Sequence, residues 1–270
     1  TIPPTFWLQV IWAIGLCMII LAGLIHLPRA GQIALGALIV CGHNLLDPIH
    51  LTPQSPLFIP WAMLHQRDVI ELGGGMAAKT TYPILPWIGV ILLGYATGPW
   101  FGRTADPDVR RRRLSTWGCG LVGAFVLLRF ANVYGDKPWM DTGDALRTTM
   151  SFLALTKYPP SLLFLMPTIG LGLLLLVLFE SLDDERPIAW LALLGGAPMF
   201  FYIFHLYVLK ALYFSAVALW GLNQGKSFGF DHVGMLWLTA AILAPLLYFP
   251  ARWFAEFKQR RRDLWWPRYL

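Results

Sequence analysis

The chain has 270 residues, of which 57% are hydrophobic and 13% are charged, and its mean hydropathy is +0.57. A soluble domain carries roughly a quarter charged residues, so this composition excludes an ordinary water-soluble fold. The net charge of +6 comes from basic runs that lie between apolar segments, which excludes nucleic-acid binding as its explanation. The composition instead predicts one transmembrane domain over residues 1–270, with the lipid bilayer as its partner.

Seven apolar stretches predict seven membrane spans, so the expected fold class is all-α, a polytopic transmembrane helix bundle. In chain order the predicted spans are Phe6–Leu27, Gln32–Leu46, Pro83–Phe101, Leu114–Tyr134, Pro160–Glu180, Met199–Trp220 and Val233–Phe254. A turn at Asp183–Pro187 and an interfacial piece from Ile188 precede the sixth span. We recognise no internal repeat in this pattern.

Two long polar connections separate the spans in the first part of the chain. The first, Asp47–Tyr82, contains four prolines and the patch Gly73–Gly75, and its segment Pro60–Arg67 predicts a short interfacial helix. The second connection is Asp136–Pro159. Neither is apolar enough to cross a membrane.

The orientation follows from counting Lys and Arg on alternate sides of the seven spans. Thirteen lie on the side of the C-terminal tail and six on the other side. Because cytoplasmic loops are enriched in Lys and Arg, the tail is predicted to be cytoplasmic and the start of the chain outside. Both long connections then face outward.

The termini and the cysteines add little about function. The chain begins at Thr1 with no recognisable signal peptide, and we expect further residues upstream. Cys17, Cys41 and Cys119 lie inside apolar segments, without the spacing of a disulfide framework or a metal site. We therefore expect no metal.

Polar side chains at membrane depth are costly and are candidates for function. His43 and Asp47 lie four residues apart at the outward end of the second span, hence on one helical face. A carboxylate there can orient an imidazole as a general base, so both are predicted as catalytic residues. The alternative is a solvated pair at a helix end.

A second group of polar residues also points to the outer leaflet. Arg129 and Asn132 lie in the fourth span, Lys157 and Tyr158 precede the fifth, and Gln9 lies in the first. These five are predicted to bind substrate, against the alternatives of snorkelling to headgroups for Arg129 and of an interfacial position for Lys157.

His205 lies in the sixth span, deeper in the membrane than the candidates above, and it is the remaining candidate for substrate binding. A hydrogen bond to a neighbouring carbonyl is the alternative explanation for it. The other histidines, His26, His50, His65 and His232, lie in loops or at span ends and receive no functional assignment.

Several stretches resemble a known family when taken in order. They are LQVIWAIGLCMIILAGL, GHNLLD, YPILPWIGVILLGYATG, NVYGDKPW, SFLALTKYPPSLLFLM and GGAPMFFYIFHLYVLK. In content and order they resemble bacterial membrane proteins related to heparan-alpha-glucosaminide N-acetyltransferase, from about Leu8 to the tail. LTKYPPSLLF and YPILPWIGV are the most distinctive.

This resemblance implies an integral acetyltransferase of the bacterial inner membrane, in which cytoplasmic acetyl-CoA donates an acetyl group to an amino sugar or glycan on the outer face. It also implies earlier helices that carry the family's catalytic histidine, which no residue here matches. The HNLLD stretch, Arg129, Lys157 and His205 are carried over as pocket residues. A homodimer is left open.

Two other functions remain open at this point. A transporter or lipid-glycan flippase subunit would use His205, Lys210 and Arg129 along a pathway, although transporters often carry repeats. A non-catalytic assembly partner is the third reading.

Overall fold

The computed structural model describes residues 5–182, 192, 195–261 and 263–269. The chain forms two compact units, one up to Leu178 and one from Phe179. The predicted turn Asp183–Pro187 and most of the interfacial piece from Ile188 lie outside the described residues.

The first unit is built from helices and one small sheet. Its helices are α1 (Val10–Leu24), α2 (Arg29–Gly42), α3 (Phe58–Leu64), α4 (Leu85–Ala96), α5 (Pro107–Ala131), α6 (Ala145–Leu153) and α7 (Leu162–Ser181), and its strands are β1 (Thr5–Leu8), β2 (Val69–Gly73) and β3 (Met76–Thr80). A 3-10 turn, His43–Leu46, extends α2, and another, Gly98–Phe101, follows α4. The second unit described here holds α8 (Pro198–Trp220), α9 (Val233–Arg260) and the 3-10 turn Trp266–Tyr269.

Helices occur in all seven predicted spans, and four of them are long and apolar enough to cross a bilayer by length and composition. These four are α5, α7, α8 and α9, whereas α1 and α4 are apolar but shorter than 18 residues. The helical membrane character is therefore confirmed. The count of seven spans and their orientation stay predictions.

Local sequence explains where α5 begins and ends. Asp106 caps it by accepting hydrogen bonds from the backbone N–H groups of Asp108 and Val109, and Pro107 occupies the first turn. The helix thus starts seven residues before the predicted span, so the arginine run 110–113 is helical. It ends at Asn132, whose φ of 57° is the left-handed conformation that terminates helices.

A three-stranded sheet, with strand order β1-β3-β2, departs from the all-α prediction. β1 pairs with β3 in parallel, with Thr5 opposite Ala77, and β2 and β3 form an antiparallel hairpin. Gly74 and Gly75 form its turn with φ of +59° and +76°, which glycine adopts without steric cost. The predicted start of the first span therefore pairs as a strand with residues 77–80 of the first connection, which its composition did not reveal.

Two pairs of helices cross in close contact at glycines. A Cβ added to Gly36 of α2 would lie 3.1 Å from the carbonyl oxygen of Gly89 in α4. A Cβ on Gly118 of α5 would lie 3.0 Å from the carbonyl oxygen of Gly170 in α7. Small residues at a crossing let two helix backbones approach, which is a common mode of packing in membranes.

Candidate functional site

An open cleft of about 550 Å³ lies where the two long connections of the first unit meet. Its described lining comes from residues between Asn44 and Asp68 on one side and between Asp136 and Ser161 on the other. The lining includes histidine, carboxylate and tyrosine side chains, which can hold a polar substrate. We therefore take this cleft as the candidate active site.

The first wall of the cleft contains a histidine paired with a carboxylate, but the histidine is His65. Its Nε2 lies 3.1 Å from Oδ1 of Asp47, and the side chain is only 4% exposed. Asn44 donates a second hydrogen bond, of 2.9 Å, to the other oxygen of Asp47. An ionised carboxylate only accepts hydrogen bonds, so Nε2 carries the proton in this pair.

The opposite nitrogen of His65 is free among the described residues: Nδ1 is buried and has no hydrogen-bond partner. In the neutral tautomer that Asp47 selects, Nδ1 holds the lone pair. The Trp61 ring, 5.3 Å from the imidazole between centroids, packs beside it. The arrangement of carboxylate, oriented imidazole and unpaired basic nitrogen is that of a general base.

The electrostatic state of Asp47 follows from these neighbours. Burial raises the pKa of Asp47, but the hydrogen bonds from His65 and Asn44 and the nearby histidine charges lower it by more. The resulting pKa lies below its usual value of 3.8. Asp47 is therefore ionised at neutral pH and able to orient His65.

His43 does not form the pair with Asp47 that its spacing predicts. It is 2% exposed, with Nε2 2.9 Å from the carbonyl oxygen of Pro160 and Nδ1 3.0 Å from that of Val40. The chain tightens into a 3-10 turn at His43, which changes the angular relation of the two side chains. The predicted pairing is wrong: both nitrogens of His43 face backbone carbonyls, and its ring packs edge-on against His65 at 6.3 Å.

The second wall is held together by Asp136. Its carboxylate accepts hydrogen bonds from the hydroxyl and the N–H of Thr156, at 2.6 and 2.8 Å, and from the hydroxyl of Ser161, at 2.6 Å. These bonds join the two ends of the second connection. The sequence reading passed over Asp136 because it lies in a loop with no ligand-like spacing.

Tyr158, a predicted substrate-binding residue, does line the cleft. Its hydroxyl lies 3.0 Å from that of Tyr82, and the cations of Lys157 and Arg67 lie 5.2 and 5.7 Å from its ring centroid. The hydrogen bond with Tyr82 lowers the pKa of Tyr158, and the charges of Lys157 and Arg67 act in the same direction against its desolvation. Lys157 thus lies beside the cleft, in contact with a lining residue.

Arg129 is buried and is hydrogen-bonded to backbone carbonyl oxygens. It is 1% exposed, and its guanidinium donates to the backbone oxygens of Lys137, Ser151, Phe152 and Ala154 at 2.8 to 3.1 Å. Four of its five N–H groups are thereby occupied. Arg129 is not among the described lining residues of the cleft, and it fastens the second connection to α5.

Asn132, Gln9 and His205 also lie away from the described lining of the cleft. The Asn132 side chain exchanges two hydrogen bonds of 3.0 Å with the backbone of Trp139, which explains its place at the helix end. Gln9 precedes α1 and is exposed. In the second unit, Nδ1 of His205 lies 2.9 Å from the carbonyl oxygen of Phe201, and its ring stacks on that residue.

The functional residue that sequence reasoning missed is His65. A signal was present: the polar run His65-Gln66-Arg67-Asp68 follows a short apolar helix, in the same outward connection as Asp47. Spacing could not reveal the pair, because the two residues are 18 positions apart and the segment between them, which includes α3, follows no single periodicity. Among the described residues no three His, Cys, Asp or Glu side chains lie close enough together to hold a metal ion.

The fold and the cleft define an integral, helical membrane protein with a carboxylate-oriented histidine in a polar site. Residues 5–126 match the family model "heparan-alpha-glucosaminide N-acetyltransferase, catalytic". This match confirms the family resemblance over that part of the chain, which is somewhat under half of it. Comparison with curated proteins and with solved structures gave no significant match.

Proposed function

We propose that this protein transfers an acetyl group from cytoplasmic acetyl-CoA to an amino sugar or glycan at the outer face of a bacterial inner membrane. The family match over residues 5–126 supports the reaction class. The observation that carries the site is the buried His65, held by Asp47 at 3.1 Å and unpaired at Nδ1. The acceptor binds in the cleft between the two connections.

In this proposal His65 Nδ1 takes the proton from the amine or hydroxyl of the acceptor as that atom attacks the acetyl carbonyl. The new bond joins the acceptor atom to the acetyl carbon, and the bond from that carbon to the sulfur of coenzyme A breaks. The thiolate that leaves is neutralised by a proton equivalent to the one His65 received. Asp47 stabilises the imidazolium formed in between without itself becoming protonated.

Radiolabelled acetyl-CoA and a glucosamine-terminated acceptor, supplied to the intact chain in vesicles, test this function. The unaltered protein is expected to label the acceptor, and His65→Ala to reduce kcat by about 10² to 10⁴-fold, the usual contribution of a positioned base. His26→Ala is the control, because His26 is an exposed loop residue remote in sequence from the site.

The possible outcomes test the acetyl-transfer reaction and the role of His65 separately. Absence of acceptor labelling, with acetyl-CoA binding also absent, would overturn the acetyltransferase assignment. Full activity of His65→Ala would overturn the role of His65 alone. Flux of the glycan across proteoliposomes without any acyl donor would favour the transporter alternative.

A further inference from the structure

The two glycine crossings of the first unit repeat one another in sequence. α2 and α5 share an Arg, a Gly seven residues later and a Val four residues after that. These residues are Arg29, Gly36 and Val40 in α2, and Arg111, Gly118 and Val122 in α5. All three positions are displaced by 82 residues.

The partner helices of these crossings also share a pattern. α4 contains PWIGVILL at 86–93 and α7 contains PTIGLGLL at 167–174, so both read Pro-x-Ile-Gly-x-x-Leu-Leu. The crossing glycines are 53 residues apart in the first pair (36 to 89) and 52 in the second (118 to 170). Spacings that differ by one residue across such long connections are not expected of two unrelated crossings.

The atomic contacts at the two crossings agree as well. A Cβ on Gly36 would lie 2.8 Å from Leu93 Cγ, and a Cβ on Gly118 would lie 2.8 Å from Leu174 Cγ. In the reverse direction, a Cβ on Gly89 would meet Val40 Cγ2 at 2.8 Å, and one on Gly170 would meet Val122 Cγ2 at 2.9 Å. Each contacted residue lies four positions after the crossing glycine of its own helix.

We infer that residues 29–96 and 107–178 are two copies of one helix–connection–helix unit, and that the cleft is the junction between their connections. Each connection carries a short helix, α3 or α6, and a Tyr-Pro pair before its second long helix. Tyr82 and Tyr158 of these pairs contact each other. Asn44 Oδ1 of the first copy also accepts a 2.8 Å hydrogen bond from the backbone N–H of Leu162 in the second.

The two walls of the cleft then have different functions. The first connection supplies Asp47 and His65, whereas the second, residues 132–161, contains no histidine and supplies Lys137 and Tyr158 to the lining. This division rests on the proposed function: the first copy transfers the proton, and the second binds the acceptor. Membrane proteins with internal repeats commonly place their substrate sites at the repeat interface.

Double-mutant cycles on the full chain test the duplication without any activity measurement. The purified protein is unfolded by heat after Gly36→Ala, Leu93→Ala and both together, and likewise after Gly118→Ala, Leu174→Ala and both together. We expect each glycine substitution to lower the Tm and each pair to couple, with the double variant more stable than additivity predicts. The cross-copy pair Gly36→Ala with Leu174→Ala is expected to be additive.

Gly94→Ala and Gly172→Ala are matched controls, because a Cβ at either position meets no atom within 4 Å. Coupling at one crossing and additivity at the other would overturn the duplication, and so would a Tm loss at the controls equal to that at the crossings. A protein that shows both couplings but no acetyl transfer would retain the duplication and lose the proposed function.

The division of tasks has its own readout in the acetyl-transfer assay. Lys137→Ala and Tyr158→Phe are expected to raise KM for the acceptor several-fold with kcat nearly kept, the reverse of His65→Ala. A fall in kcat at constant KM for both second-copy variants would overturn the binding role of that copy.

Discussion

His43 and His65 face one another at the same end of the first unit, yet their surroundings give them opposite chemistry. Both nitrogens of His43 lie against backbone carbonyls, so its ring joins α2 to Pro160 of the second connection. His65 has a carboxylate on one nitrogen and no described partner on the other. Of these two histidines, only His65 has a ring nitrogen without a described hydrogen-bond partner.

The pair of Asp47 and His65 makes stability depend on pH. The pKa of Asp47 is lower in the folded protein than its usual 3.8, so its ionised form stabilises the fold at higher pH. This stabilisation is complete above the unfolded pKa and is lost as the pH falls through the folded one. We expect the Tm difference between the unaltered protein and Asp47→Asn to be largest above pH 5 and to shrink below about pH 4.

Thermal unfolding from pH 3 to 7 measures this difference. Asp141→Asn offers a comparison for the pH dependence of the Tm difference. Asp141 is a solvent-exposed carboxylate, and local hydrogen bonds from Gly143 and Thr148 lower its pKa. A Tm gap for Asp47→Asn that stays constant over the whole range would contradict the pairing.

At the scale of elements, α5 and the second connection are held together by buried polar contacts. Arg129 donates hydrogen bonds to four backbone oxygens, and the Asn132 side chain hydrogen-bonds to the backbone of Trp139. The Asp136 carboxylate accepts hydrogen bonds from both Thr156 and Ser161. An irregular segment has carbonyls that no helix or strand satisfies, and these side chains supply the donors. These three residues therefore set the shape of the second wall of the cleft.

Arg129→Ala is expected to destabilise the protein by about 3 kcal/mol, because buried carbonyls lose their charged donor. The expected signature is a lower Tm together with faster proteolysis in residues 136–159. Arg103→Ala is the control, since Arg103 is exposed and is not among the described lining residues of the cleft. If Arg129→Ala kept the Tm and raised only KM for the acceptor, the original substrate-binding prediction would be restored.

The hairpin of β2 and β3 shows what element prediction from sequence lacked. Its strands are five residues each, and in β3 only two, Ala78 and Thr80, are buried. Such short segments have no clear alternation, and the parallel partner β1 lies about 70 residues earlier. Pairing over that distance is a tertiary property, because the strand's own residues do not encode its partner.

For the whole molecule, the internal duplication removes one argument against the transporter alternative. The apparent lack of a repeat counted against a transporter, and that objection no longer holds. The family match over residues 5–126 now supports the acetyltransferase proposal over the transporter.

The predicted orientation can be measured by labelling single cysteines with an impermeant maleimide, after replacing the three native cysteines. Arg147→Cys and Lys226→Cys are expected to react in intact cells, because seven spans place both outside. Arg103→Cys and Gln259→Cys are expected to react only after permeabilisation, because the basic side is cytoplasmic. All four are exposed in the structure. Arg147 and Lys226 on opposite sides of the membrane would contradict the count of seven.

The sequence by itself determined the helical segments, the membrane character and the family resemblance, because these depend on composition, on the length of apolar runs and on short motifs along the chain. It also singled out Asp47 and Tyr158, which both line the candidate cleft. Only the tertiary structure decided that His65 rather than His43 pairs with Asp47, that Arg129 is bound by carbonyls, and that two similar helix pairs enclose one cleft. Each of these depends on residues brought together across irregular connections, whose path no local pattern specifies.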